Sequence, residues 1–254
     1  MCIIVVKPRG VQAPSHDILD NCFNNNQDGA GFAVYYPLMQ KARIQKGFMK
    51  KEAFSSAIDS AGITKEDIVI YHFRITTAGG TAQKNCHPFP ISDNVSMLEA
   101  LDVYTDNVIA HNGILGKGKE TLSDTMLYIK DTLSQYNDII KHFDEIKEET
   151  EGSRLAFILA GEIYLTGRWI YEDGIFYSND TYSYSHQSWP YYSKNKNWEY
   201  YLNDETYYGY DTDKKDKIIC ACCEAELDFK DVYTYFSKDE EYMVCKTCFN
   251  ALLP

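Results

Sequence analysis

A chain of 254 residues with 44% hydrophobic positions can bury one sizeable core and a second, smaller one. Its 37 acidic against 25 basic side chains leave a net charge of −12, which repels phosphate backbones and makes nucleic acid a poor partner. No run of 18 apolar residues suggests a membrane span. The apolar start Met1-Cys2-Ile3-Ile4-Val5-Val6 is only a strand long, and its basic residues follow rather than precede it, unlike a secretory signal. A cytoplasmic location is expected, with no membrane partner.

In chain order, residues 2–6, 31–36, 68–74, 107–111, 155–160 and 162–171 read as strands, by alternation or by unbroken apolar runs. Lys51–Ala61 reads as a helix. A longer helical pattern runs from Ser123 to about Glu149, opened by Ser123 and Asp124 as first-turn residues. Met126, Leu127, Leu133, Tyr136 and Ile140 recur along it at roughly helical spacing, which does not decide between one helix and two. Strands on both sides of the helices predict a layered α+β domain over residues 2–190. From about Ser178 the aliphatics thin out, and Tyr, Ser, Asn and Lys crowd residues 179–210. Residues 191–217 are assigned as a Tyr-rich, charged linker, and 218–254 as a separate cysteine-rich module.

Chemistry concentrates at a few points. Once Met1 is removed, Cys2 would carry a free α-amine of reference pKa about 7.7–8.0 beside a thiol of about 8.5, so base and nucleophile share one residue. The plain alternative is a small buried residue that starts a strand. Tyr71-His72-Phe73-Arg74-Ile75-Thr76-Thr77-Ala78-Gly79-Gly80 ends a strand in an arginine, then in hydroxyls and glycines. Arg74 could fork onto a substrate carboxylate, or could form a surface ion pair. Asn85-Cys86-His87-Pro88-Phe89-Pro90 is a stiff loop. Ala110-His111-Asn112-Gly113 ends a buried strand with an amide donor beside a glycine N–H, a composition suited to an oxyanion hole, although Asn-Gly more commonly marks a turn. Asp124, in Ser123-Asp124-Thr125, has helix capping as its ordinary role. His72, His87 and His111 are expected to be structural hydrogen-bonders. Gly116-Lys117-Gly118-Lys119 lacks the spacing of a phosphate loop.

The order of these segments, with Asp28-Gly29-Ala30-Gly31-Phe32 between the first two, resembles the class II glutamine amidotransferases among the N-terminal-nucleophile hydrolases. The resemblance is clear over residues 2–125. It continues faintly through Arg168-Trp169 and Asp173-Gly174-Ile175-Phe176-Tyr177-Ser178, which look like closing strands. It implies a four-layer αββα sandwich in which Cys2 attacks the side-chain amide of glutamine and releases ammonia. Asn112 and Gly113 would hold the oxyanion. Arg74 would bind the substrate's α-carboxylate and Asp124 its α-ammonium. Thr77 would line the pocket, with Gly31 and Gly80 permitting close backbone approach. The implied ligand is glutamine, with a separate synthase as ammonia acceptor, since no synthase domain fits in this chain. The sequence departs from the family at Asn24, Asn25, Asn26 and Gln27, where many members have an arginine close to the nucleophile, and at Met126, where a glutamate is frequent. Two alternatives remain: an amidohydrolase of the same fold acting on another γ-glutamyl or peptide amide, and a catalytically silent partner-binding protein.

Five of the eight cysteines lie in the last 35 residues. Cys220 and Cys223, and Cys245 and Cys248, form two C-x-x-C pairs 21 residues apart. Two close thiolate pairs suit a structural tetrahedral Zn²⁺, with Zn–S near about 2.3 Å, better than a redox pair. Cys222 could replace either member of the first pair. A hairpin over 232–236 and 241–244, followed by a helix over 245–253, makes the module resemble a treble-clef zinc finger. Its surface, with ten acids and six lysines over residues 211–254 (net −4), suits stability or partner docking rather than DNA.

Overall fold

The computed structural model describes residues 2–75, 81–116 and 122–183, together with 218–219, 225–227, 232–237, 240–245 and 247. The chain divides into two units, residues 1–192 and 193–254. The first is mixed α+β, and every strand pairing in it is antiparallel.

Its elements, in chain order, are β1 (Ile3–Lys7), α1 (His16–Asn25), β2 (Ala30–Tyr36), β3 (Lys41–Phe48), α2 (Lys51–Ala61), β4 (Ile68–Phe73), β5 (Phe89–Pro90), α3 (Val95–Glu99), β6 (Asp102–Thr105), β7 (Val108–Asn112), α4 (Asp124–Asp131), α5 (Phe143–Glu149), β8 (Arg154–Leu159), β9 (Glu162–Thr166), β10 (Ile170–Glu172) and β11 (Ile175–Tyr177). One sheet has seven strands in the order β10-β11-β1-β4-β2-β3-β6, and the other has four in the order β5-β7-β8-β9.

Side-chain alternation sorts these strands into three cores. Ile4 and Val6 of β1, Ile68 and Ile70 of β4, and Ala33 of β2 meet Val108 and Ala110 of β7 and Ala156 and Ile158 of β8, so the two sheets pack face to face. The alternate residues Ile3, Val5, Val69, Tyr71 and Phe73 pack instead with Leu19, Cys22 and Phe23 of α1 and Phe54 and Ile58 of α2. On the other sheet Ile109, Leu155, Phe157 and Leu159 pack with Met126 and Ile129 of α4 and Ile146 of α5. Strands buried on both faces carry nearly unbroken apolar runs, interrupted only by Lys7 at the end of β1 and His72 in β4, which is why β1 and β4 are conspicuous in the sequence.

One expectation is corrected. The span 162–171 is not one strand: it breaks at Gly167, whose φ of +81° lies in the left-handed region that favours glycine. The pattern from 123 to 149, undecided between one helix and two from its spacing, forms two. Helix α4 stops at Thr132 (φ −125°, ψ −67°), two short 3₁₀ turns follow, and α5 starts at Phe143. Helix α1 and strands β3 and β6 lie where neither apolar alternation nor helical spacing marks them. Ser15 caps α1, accepting the N–H of Ile18 at 3.4 Å.

In the second unit, β12 (Ile218–Ile219) pairs with β13 (Glu226–Leu227), and β14 (Val232–Ser237) pairs antiparallel with β15 (Glu240–Cys245). Cys245 ends this strand, so it does not begin the helix expected over 245–253; Thr247 is helical, and the remaining residues of that span lie outside the described residues. Cys220, Cys222, Cys223 and Cys248 lie outside the described residues, and with them the zinc ligand set.

Candidate active site

The site forms where the inter-sheet face changes character. Positions 6, 4 and 2 read Val, Ile, Cys; positions 68, 70, 72 and 74 read Ile, Ile, His, Arg; positions 108, 110 and 112 read Val, Ala, Asn. With a period of two, each series continues one face of its strand, and each turns polar at the same end of the sandwich. Ile3 is paired with Phe73, so Cys2 and Arg74 follow as the next opposed positions.

Cys2 is half-buried and directly precedes β1. Its sulfur lies 3.4 Å from the N–H of Ile75, which donates to it, and 3.5 Å from the Ile75 carbonyl. Burial pushes the thiol above its ordinary pKa. The Ile75 N–H, the positive charge of the chain terminus and Arg74 pull the other way. Cys22 and Cys86 are fully buried, and burial raises both thiols.

Arg74 is 7% exposed, which removes the surface ion pair as its role. Its backbone is tied to the Asp28-Gly29 segment: its N–H donates to the Gly29 carbonyl (2.8 Å) and its carbonyl accepts from Asp28 (2.9 Å). Asn26 is fully buried and donates its amide to the Cys22 carbonyl at 2.9 Å. Arg74 is the side-chain cation that acts on Cys2 among the described residues.

Asn112 ends β7, and β7 pairs with β8, some forty positions on, so Asn112-Gly113 is not a hairpin turn. The Asn112 side chain donates at 2.9 Å to the hydroxyl of Ser178, which also accepts the N–H of Ile4 at 2.9 Å. An amide nitrogen carries two hydrogens, and among the described residues the second has no acceptor. Gly113 has φ +153°, and a Cβ there would collide with the Ser153 side chain, so glycine is required. Gly31 serves a different contact from the one expected: a Cβ on it would collide with the His87 carbonyl and Lys46.

Ser123 is the N-cap of α4, accepting from Met126 at 3.2 Å. Asp124 accepts the N–H of Leu115 at 3.0 Å and of Thr125 at 2.8 Å, so its carboxylate anchors the segment after Gly113 to the helix start. Met126 is fully buried in the outer core. Thr77, Gly80 and residues 117–121 lie outside the described residues.

Behind these groups lies a buried polar chain. The Thr125 hydroxyl sits 2.9 Å from His111 Nδ1 and 3.2 Å from His87 Nε2, and His111 Nε2 is 3.3 Å from the Ser153 hydroxyl. His72 Nε2 lies 3.1 Å from the His111 carbonyl and donates to it, since a carbonyl only accepts. The rings of His72 and His87 are 4.3 Å apart. Burial holds all three neutral, with His72 pushed down to about 3, His111 to about 4 and His87 well below its usual range. These are the structural hydrogen-bonders the sequence led us to expect.

Three residues carry the site without having been singled out. Ser178 and Asn179 follow β11, and Asn179 donates its amide to the Cys2 carbonyl at 2.7 Å. Thr125 joins two histidines. The visible sign was a pair of small polar residues straight after the alternating strand Ile175-Phe176-Tyr177. The chain matches no protein-family model and no curated protein.

Proposed function

We propose that this chain is a glutaminase of the class II glutamine amidotransferase type, an N-terminal-nucleophile hydrolase with an αββα layering. The observation that carries the reading is the gathering of Cys2, Arg74 and Asn112 at one end of the inter-sheet face, with Ser178 bonded to both β1 and Asn112. The three cores, helix on sheet, sheet on sheet and sheet on helix, support the layering.

In the proposed reaction, the α-amine of mature Cys2 takes the thiol proton as sulfur attacks the side-chain carbonyl carbon of glutamine. The Asn112 amide and the Gly113 N–H stabilise the oxyanion. The proton passes to the leaving nitrogen, ammonia departs, and water cleaves the thioester to glutamate. Free glutamine is a zwitterion, so Arg74 and Asp124 meet its carboxylate and ammonium, with Thr77 lining the pocket. The ammonia passes to a separate synthase. A cytoplasmic location fits this chemistry, and no helix among the described residues is long and apolar enough to cross a membrane.

The test is glutamate release from free glutamine, with intact mass establishing Met1 removal. Cys2→Ala is expected to abolish release, with loss of at least about 10³-fold. Comparing free glutamine with other γ-glutamyl amides separates the glutaminase from the broader amidohydrolase. The stretch Asn24-Asn25-Asn26-Gln27, with no cation and with Asn26 buried on the Cys22 carbonyl, keeps a second reading, a silent partner-binding protein. Turnover that depends on Cys2 sinks that reading.

For the second unit we propose a structural Zn²⁺ held by Cys220, Cys223, Cys245 and Cys248. The C-x-x-C spacing and the β14–β15 hairpin ending at Cys245 support it. So small a module depends on metal for its folding energy. Metal analysis of the full chain should give one zinc per chain, lost on Cys248→Ser.

A further inference from the structure

Resting on the glutaminase reading, we infer that Ser178 is a positioning residue that sets the oxyanion donor Asn112 against the strand of the nucleophile. Cys2 and β1 belong to the seven-stranded sheet, whereas Asn112 belongs to the four-stranded one. Between the sheets lie Ile4, Val6, Ile70, Ala110, Ala156 and Ile158, whose contacts are cohesive but non-directional. The hydrogen bond from His72 Nε2 to the His111 carbonyl also crosses the sheets, but it ends on backbone, and neither it nor this packing sets the rotamer of the Asn112 side chain. An oxyanion donor does not tolerate a free rotamer, because its effect depends on its distance from the atom that becomes charged.

Ser178 supplies the missing direction. It follows β11, the neighbour of β1, and its own N–H donates to the Ile4 carbonyl at 3.0 Å. Its hydroxyl oxygen has two lone pairs. One accepts the Ile4 N–H and the other the Asn112 amide, both at 2.9 Å, and the side chain is 2% exposed. One oxygen thus spans the sheets and fixes the Asn112 rotamer from the nucleophile's side. The next residue completes the clamp. Asn179 holds the Cys2 carbonyl at 2.7 Å, and its own side-chain oxygen accepts the Thr181 hydroxyl at 2.7 Å.

Ser178 acts through Asn112, so its loss should alter turnover rather than substrate binding. Ser178→Ala is expected to lower kcat for glutamine about 10- to 100-fold with KM within about threefold, a smaller loss than removing a donor outright. In Asn112→Ala the same change should add nothing further. A readout independent of glutamine is the rate of Cys2 labelling by chloroacetone, in which sulfur bonds to the CH₂ carbon, chloride leaves and the adjacent carbonyl oxygen draws in negative charge, divided by the rate with methyl methanethiosulfonate, which loses methanesulfinate and has no carbonyl. Peptide mapping confirms the labelled residue.

The ratio should fall about 10-fold or more in Ser178→Ala and recover in Ser178→Thr, which keeps the hydroxyl. Ser178→Cys fills nearly the same space with a weak acceptor, and should show the same fall where the alanine variant does not fold. An unchanged ratio in Ser178→Ala or Ser178→Cys, or a full additional loss on top of Asn112→Ala, overturns the inference and leaves the glutaminase reading standing. An unchanged ratio in Asn112→Ala overturns both, because the oxyanion donor is then misassigned.

Discussion

The middle of the inter-sheet gap and its polar end are built from the same strands, two residues apart. At Ile4, Ile70 and Ala110 the gap is closed by aliphatic contact alone. One step further along each strand stand Cys2, His72 and Asn112, bound through hydroxyls, amides and backbone groups. The first region supplies cohesion and the second direction. Burying a polar group without its partner costs a few kcal/mol, so the polar end is held as a connected set rather than as isolated contacts.

The largest expected effects separate these two regions. Ile158→Ala opens a cavity in the middle of the gap and should lower stability by about 2–5 kcal/mol, with kcat per folded molecule unchanged. Asn112→Ala should do the reverse. It should lower kcat about 10²- to 10³-fold and stability by no more than about 1.5 kcal/mol, since Ser178 still accepts from Ile4. Urea unfolding and glutamate release on the same preparations check both. Equal loss of activity in the two variants would erase the distinction.

Acid sharpens it next. His72, His87 and His111 are neutral in the fold, with pKa values depressed from an unfolded value of about 6.5. Above pH 6.5 neither state holds the proton, and full stability is present. Below it the unfolded chain takes up protons that the fold refuses. Stability then falls as pH drops, on the order of 1 kcal/mol per pH unit for each histidine, until the folded values near 4 for His111 and 3 for His72 are reached. The urea midpoint should therefore drop between pH 6.5 and 5.5. A flat midpoint there would mean that the histidines are not neutral and buried together.

How much of this could be read from the sequence follows the same division. Strands β1, β4, β7 and β8 are mostly apolar on both faces and declared themselves. Strand β3 did not, because its inward residues are Ala42, Ile44 and Lys46, and its outward ones are polar. Lys46 is buried all the same: its ammonium donates to the Leu98 carbonyl at 2.6 Å and lies 3.6 Å over the Phe89 ring. Such a lysine is satisfied only by partners distant in sequence. Helix α1 shows its apolar stripe in just Ile18, Leu19, Cys22 and Phe23. At the candidate site, the ordered segments around Cys2, Arg74, Asn112 and Asp124 were visible as motifs. Ser178 was not, because a serine after a strand gains meaning only when Asn112 arrives from the other sheet.

The smallest expected effect lies at the sheet edge and serves as the control for acid. Arg43 of β3 donates to Asp102 of β6 through Nε (2.9 Å) and Nη2 (2.6 Å), a forked pair with side chains 34% and 48% exposed. Water screens such a pair, so Asp102→Asn should cost no more than about 1 kcal/mol, and less at high salt. The hydrogen bond from Arg43 also holds the Asp102 carboxyl below its ordinary value of 3.8. A depressed carboxyl contributes stability above its unfolded pKa and loses it only as pH falls through the folded one, so Asp102 is silent between pH 6.5 and 5.5. Asp102→Asn should therefore lower the urea midpoint slightly at every pH in that window and leave its slope with pH unchanged. A shallower slope in this variant would move the source of acid sensitivity from the buried histidines to the surface.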